Sequence, residues 1–162
     1  MKRRLFARVA VGAVALTLAI PATALAPAGQ YATFNKDNTT ITDHQTALQW
    51  QRGFTTATSW DDANAQCNAL VLGGISGWRL PSVKELLTLV DEAVDEEYVT
   101  GRQPPLQYFA IDPRAFPTTP SGSFWAWPMQ NNGQAWRVDF ATGESHPDSP
   151  SNIGFYVRCV HY

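Results

Sequence analysis

Residues 58–90 contain two helix starts in quick succession, and any fold for this chain has to accommodate both. Ser59 stands three residues before Asp62, so its hydroxyl is placed to accept one of the orphan N–H groups of a helix start. Asp62 suits the positive end of the same helix. Ser82 followed by Glu85 forms a full capping box, with Pro81 just outside it. Trp60, Ala63, Cys67, Leu70 and Val71 recur at helical spacing, as do Val83, Leu86, Leu87, Val90 and Val94. Gly73-Gly74 is expected to end the first helix, because glycine reaches the left-handed region at little steric cost. The acids from Asp91 onward would oppose the dipole at a helix C-terminus, so the second helix is expected to end near Ala93.

The amino-terminal stretch reads as a leader rather than as part of the fold. Met1-Lys2-Arg3-Arg4 and Arg8 supply a positive start, and Val9 to Ile20 is an apolar run short for a bilayer. Ala22-Thr23-Ala24-Leu25-Ala26 offers small residues for cleavage, after Ala24, Ala26 or Ala28. An uncleaved membrane anchor is the alternative; no cysteine follows the run to carry a lipid. Residues 1–26 are thus expected to be a signal peptide, 27–32 a flexible segment and 33–162 one domain. The mature protein is expected to be extracytoplasmic, periplasmic or secreted, with no stable membrane insertion.

Four of the 12 basic residues lie in the leader and none of the 14 acids does, which leaves eight against 14, a net charge of −6. A net-acidic chain without a basic run is a poor ligand for nucleic acid or anionic membrane. Two cysteines in an exported chain invite one disulfide, Cys67 to Cys159, with two buried free thiols as the alternative. Closing a loop of about 90 residues stabilises by about 4–5 kcal/mol in the chain-entropy treatment.

Tyr31 to Phe34 and Thr39 to Thr42 are strand-like, separated by turn residues Asn35 to Asn38. Asp43 to Thr46 is a second turn, and Ala47 to Gln51 alternates so that Leu48 and Trp50 face in while Gln49 and Gln51 face out. Asp91 to Glu97 holds five acids in seven residues, without the regular ligand spacing or the glycine of a calcium loop, and reads as a solvated helix end. Residues 100–123, with Pro104-Pro105, Asp112-Pro113, Phe116-Pro117 and Thr118-Thr119-Pro120, read as a long irregular loop. Leu106, Tyr108, Phe109, Ile111 and Phe116 are expected to pin it to the core. Strands at 123–128, 134–141 and 154–160 follow, with Asn131-Asn132-Gly133 as a hairpin signal and a polar loop over 144–152. The sum is α+β: small twisted antiparallel sheets with two helices and a long loop.

Six tryptophans are the chief candidates for recognition. Alternation puts Trp125 and Trp127 on one strand face, and Arg137 and Asp139 together on the next strand. Exposed indoles beside Arg and Asp would suit a sugar: flat apolar faces with polar arms. The same indoles would equally serve as core, Trp136 above all. His44, His146 and His161 stand apart from any nucleophile motif, and no serine-elbow, zinc-helix or phosphate-loop pattern occurs. No catalytic residue, metal or cofactor is expected.

Gly77-Trp78-Arg79-Leu80-Pro81-Ser82-Val83-Lys84-Glu85-Leu86 resembles the signature of domain-of-unknown-function family 1566, the Lcl C-terminal-like domain. The likeness extends through Thr42 to Gln51 and through Tyr156-Val157-Arg158-Cys159-Val160. Together with Ser59-Trp60-xx-Ala63-xxx-Cys67, the signature stretch resembles the two-helix half of C-type-lectin-like domains, which implies a fold of that group. That resemblance implies a Cys67–Cys159 bond between first helix and last strand, and structural roles for Trp60, Trp78, Arg79, Glu85 and Arg158. Both arginines are expected to be buried and carboxylate-paired. It implies an exported binding module for a glycan or a protein surface, with sulfated glycans suggested by a collagen-like adhesin of the family; the net charge of −6 offers no basic cluster for them. The calcium-dependent sugar site is not carried over, since arginine and valine interrupt the run at Trp136 to Asp139. Alternatives are a structural envelope protein, or a relative of formylglycine-generating oxidases, which would need two reactive thiols and copper.

Overall fold

Ser59 and Ser82 both cap helices. The computed structural model describes residues 26–91 and 111–162. The first helix, α1 (Trp60–Ala69), opens with the Ser59 hydroxyl accepting from the Asp62 N–H. The second, α2 (Val83–Leu87), carries the complete Ser82/Glu85 capping box. Nine strands accompany them among the described residues: β1 (Tyr31–Phe34), β2 (Thr40–Asp43), β3 (Leu48–Gln51), β4 (Thr55–Thr56), β5 (Ser123–Met129), β6 (Ala135–Asp139), β7 (Ser145–Asp148), β8 (Tyr156–Val157) and β9 (Val160–His161). They form two sheets, ordered β1-β2-β3-β9 and β4-β8-β5-β6-β7. The fold is α+β, as expected, though the β5–β8 pairing is parallel rather than antiparallel.

Strand β5 explains how two layers of core fit in so short a chain. Ser123 to Ala126 are all buried, and their side chains divide between two clusters. Phe124 and Ala126 join Ile41, Trp50, Leu86, Phe116, Val138 and Val160. Trp125 joins Trp60, Ala63, Cys67, Trp78, Leu80 and Val157. A strand covered on both faces reads as a continuous apolar run, which is what Phe124-Trp125-Ala126 supplies. The disulfide runs through the second cluster: Cys67 on α1 bonds Cys159, beside β9, across 92 residues of sequence.

Several expectations shift. Helix α1 stops at Ala69, with Leu70 extended, and Val71 is 66% exposed. Gly73 and Gly74 instead make the tight turn between Leu72 and Ile75, both with positive φ. Helix α2 has one turn and a half, because Thr88 closes it with its N–H and hydroxyl on the Glu85 carbonyl. Gln51 is buried rather than outward, its Oε1 accepting from the Cys159 N–H at 3.0 Å. Ser145 to Asp148, expected in a loop, forms β7 against β6. Ahead of β1, the Gln30 N–H donates to the Pro27 carbonyl, and the Gln30 carbonyl accepts from His44 N–H. Ile111 and Phe116 are core, as expected of the long loop. The leader up to Leu25, the acids from Glu92 to Glu97, Val94, Leu106, Tyr108 and Phe109 lie outside the described residues.

Candidate functional site

The segment Arg79–Ser82 connects the two sheets. Arg79 exchanges both backbone hydrogen bonds with Val160 of β9, at 3.0 and 2.9 Å. Two residues on, the Pro81 carbonyl accepts from Trp127 N–H of β5 at 2.7 Å. Leu80 between them is buried. The signature segment is therefore a four-residue clamp, and its polar groups are fixed by its neighbours.

Glu85 organises those groups. Its Oε2 accepts from the Ser82 N–H at 2.8 Å, from the Ser82 hydroxyl at 2.9 Å and from Arg79 Nη1 at 2.9 Å; its Oε1 accepts from Arg79 Nη2 at 2.7 Å. Burial pushes this carboxyl up, but the bonds from Arg79 and Ser82 outweigh it and hold the carboxyl below the usual range. The Arg79 guanidinium is bidentate on one side, and its flat face lies 4.3 Å from the ring centre of Tyr162. Arg79 is thus carboxylate-paired as expected, though half-buried rather than buried.

Trp127 is 52% exposed on this clamp, while Trp125 is fully buried. The expected platform of two neighbouring indoles does not exist. Trp125 packs edge-on against Phe155, ring centres 4.8 Å apart, inside the α1 cluster. Trp60, also in that cluster, donates its Nε1–H to the Ala126 carbonyl at 2.8 Å. Beyond Ala126 the β5–β6 register slips until Met129 meets Ala135. Pro128 has no N–H to give the ladder, and the strand leaves the covered part of the sheet there. Of the six indoles Trp127 is the large exposed one; Trp50, Trp60, Trp78 and Trp125 are buried and Trp136 is half-buried against the first cluster. Trp78, in the second cluster, donates to the Ile75 carbonyl.

Arg137 and Asp139 do lie together on β6, but their polar atoms are committed to one another and to neighbours. Arg137 Nε donates to Asp148 at 3.0 Å, and its Nη1 to the Ser123 hydroxyl at 2.7 Å and Asp139 at 3.5 Å. The Ser123 hydroxyl donates to Asp139 in turn. Phe155 lies 5.4 Å from the guanidinium. This is a half-buried ion network across β5, β6 and β7, closer to a brace than to an open pair of arms.

Arg158 departs from the carboxylate-paired expectation. It is fully buried, with Nη2 donating to the Thr119 hydroxyl at 2.7 Å and Nε to the Gly53 carbonyl at 3.3 Å. Its guanidinium stacks 4.3 Å from Phe116, and Nη1 has no hydrogen-bond partner among the described residues. Burial pushes it down to about 9, still charged at neutral pH. Sequence reasoning also missed Tyr162, Phe155 and Ser123 as partners of the arginines. An aromatic three residues after Cys159 carried no signal of its own, because the contact depends on how β9 lies against the clamp.

Both cysteines are consumed in the disulfide, and Cys67 and Cys159 are buried. Among the described residues, no three His, Cys, Asp or Glu gather where a metal ion could be held, and no helix is long and apolar enough to cross a membrane. His146 pairs with Glu144 at 3.1 Å.

The family model for the Lcl C-terminal domain matches residues 39–161. The chain belongs to the Lcl C-terminal domain family. The matched stretch of this Lcl C-terminal domain holds the clamp, Trp127 and both cysteines. It begins after β1, so the Ala26–Gln30 turn lies ahead of the family match. A comparison with curated proteins finds no match.

Proposed function

We propose that this Lcl C-terminal domain is an exported, non-enzymatic binding module of C-type-lectin-like architecture. It recognises a glycan or a protein surface through the face that carries Trp127. The observation behind this reading is the exposed indole of Trp127, near the end of β5, whose N–H donates to the Pro81 carbonyl of the clamp that bridges both sheets. A large apolar ring costs least to expose when a partner covers it, and a rigid mount removes the ordering cost that a flexible loop would add on binding. Trp127 supplies a flat apolar face with one N–H donor, and Tyr162, 80% exposed on Arg79, flanks the same clamp. A disulfide-stapled domain suits an oxidising, extracytoplasmic setting. The oxidase alternative needs two thiols, and both are joined.

The test is a glycan array probed with the mature protein and with Trp127→Ala. Ligands retained by the wild type and lost by a variant of unchanged melting temperature support the reading. Equal retention by both removes Trp127 from the site.

A further inference from the structure

Trp127 leaves the core at a bulge. Ala126 pairs with Trp136 and the next pair is Met129 with Ala135, so Trp127 and Pro128 stand outside the β5–β6 ladder. Extra residues on one strand of an antiparallel pair bend that strand and re-aim its side chains. Here the Trp127 indole is exposed while its backbone N–H stays on the Pro81 carbonyl at 2.7 Å. Pro128 is exposed beside it, and Met129 returns to the second cluster.

The hairpin tip that follows is lined with amides: Gln130, Asn131, Asn132 and Gln134. Its backbone is tied by Gln130 N–H on the Gln134 carbonyl at 2.7 Å and Gly133 N–H on the Gln130 carbonyl at 3.0 Å. Asn132 is held by Gln134, its Nδ2 donating to Oε1 at 2.9 Å and its Oδ1 accepting from the Gln134 N–H at 3.0 Å. Asn131 is exposed and Gln130 half-buried, and among the described residues no hydrogen bond engages either side chain. Three residues of chain span at most about 11 Å, so a ligand a few rings long can touch both Trp127 and Gln130.

Charge is missing from this surface. From Ala115 to Trp136 the chain has no Asp, Glu, Lys, Arg or His. Ser82, the bridge partner of Trp127, gives its hydroxyl and N–H to Glu85, and both Nη atoms of Arg79 go to the same carboxylate. The clamp's cation is thereby cancelled. A sulfate or carboxylate is recognised by unspent arginine or lysine. Sugar hydroxyls both donate and accept, as amides do, and the C–H face of a pyranose suits an indole. A stable protein partner needs about 800 Å² from each side, whereas one aromatic side chain buries about 150–250 Å².

We infer that Trp127, Gln130 and Asn131 form one site for an uncharged oligosaccharide, a sugar ring on the indole and its hydroxyls on the two amides. The inference rests on the binding-module reading above and narrows its ligand to a chemical class. The test is an array that carries uncharged oligosaccharides of glucose, galactose, mannose and N-acetylglucosamine beside sulfated and uronic-acid ones, with calorimetry on whatever is retained. Uncharged sugars should be retained, with a Kd that changes less than about twofold between about 0.05 and 0.5 M salt. Trp127→Ala should weaken binding about tenfold or more and Asn131→Ala about threefold or more. Asn131 lies on an exposed turn, so its variant reads the site even if Trp127→Ala perturbs β5. Preference for sulfated or uronic-acid sugars, with affinity falling as salt rises, overturns the inference and leaves a Trp127-dependent binding module standing. Unchanged affinity in both Asn131→Ala and Gln130→Ala removes the tip and overturns it too. Retention of no sugar overturns the inference and leaves only the protein-surface arm of that reading. Sugar binding that ignores Trp127→Ala overturns both.

Discussion

Glu85 caps the start of α2 and holds an arginine with a single carboxylate, and this makes the clamp sensitive to acid. Its carboxyl is held below the usual range in the folded protein, so its contribution is present above the unfolded carboxylate range and is lost as pH falls through the folded value. Glu85→Gln should lower stability by about 1–3 kcal/mol at pH 7, the range for losing charge-assisted bonds. Urea unfolding of both proteins at pH 7 and pH 3 should show that difference shrinking in acid; a constant difference would mean the charge is not what matters. The capping pair was legible in the sequence because Ser82 and Glu85 are local. Arg158 was not legible in the same way. Its burial followed from the family motif, but a stack on Phe116 and a bond to Thr119 depend on how residues 111–119 fold back over β8 and β9. The exposure of Trp127 against the burial of Trp125 was likewise invisible to alternation, because the register slip after Ala126 breaks the period on which alternation relies.

At the scale of elements, the sequence was clear where apolar period and caps agreed. Both helix starts, β1 to β3 and the β5–β6 hairpin fall close to their expected places. It was unclear where strands are polar or very short. Strand β7 contains His146, Pro147 and Asp148 and borrows its regularity from β6, and β4 is only two residues long. The diglycine shows the difference between reading a residue and reading its job. Gly73 does adopt the left-handed region, at φ +63°, but in the Leu72–Ile75 turn rather than at a helix end. A Cβ there would lie 3.0 Å from Asn35 Nδ2, whose side chain holds the β1–β2 turn through Thr39. Gly73→Ala should therefore destabilise by about 1 kcal/mol or more, measured as a fall in the urea midpoint with an unchanged slope. An unaltered midpoint would show that the turn relaxes without strain.

For the whole molecule, the Cys67–Cys159 bond joins α1 to the residue just before β9 and so closes most of the chain into one loop. The chain-entropy treatment assigns about 4–5 kcal/mol to a loop of this length, a large part of the stability of a domain this size. Reduction under native conditions should lower the melting temperature by 10 °C or more, on the order of what about 3 kcal/mol produces in a domain of this length. A reduced protein that melts within two or three degrees of the oxidised one would place the stability elsewhere. The exposed Trp127 is tied to the clamp by its N–H on the Pro81 carbonyl. The most direct measurement of the account is a calorimetric titration of the strongest array ligand into the wild type, Trp127→Ala and Arg137→Ala. The account predicts that Trp127→Ala weakens binding by roughly 10- to 100-fold, as for the loss of a central aromatic anchor, while Arg137→Ala stays close to wild type. Full affinity in Trp127→Ala together with a loss in Arg137→Ala would contradict it and move the site to the brace across β5, β6 and β7.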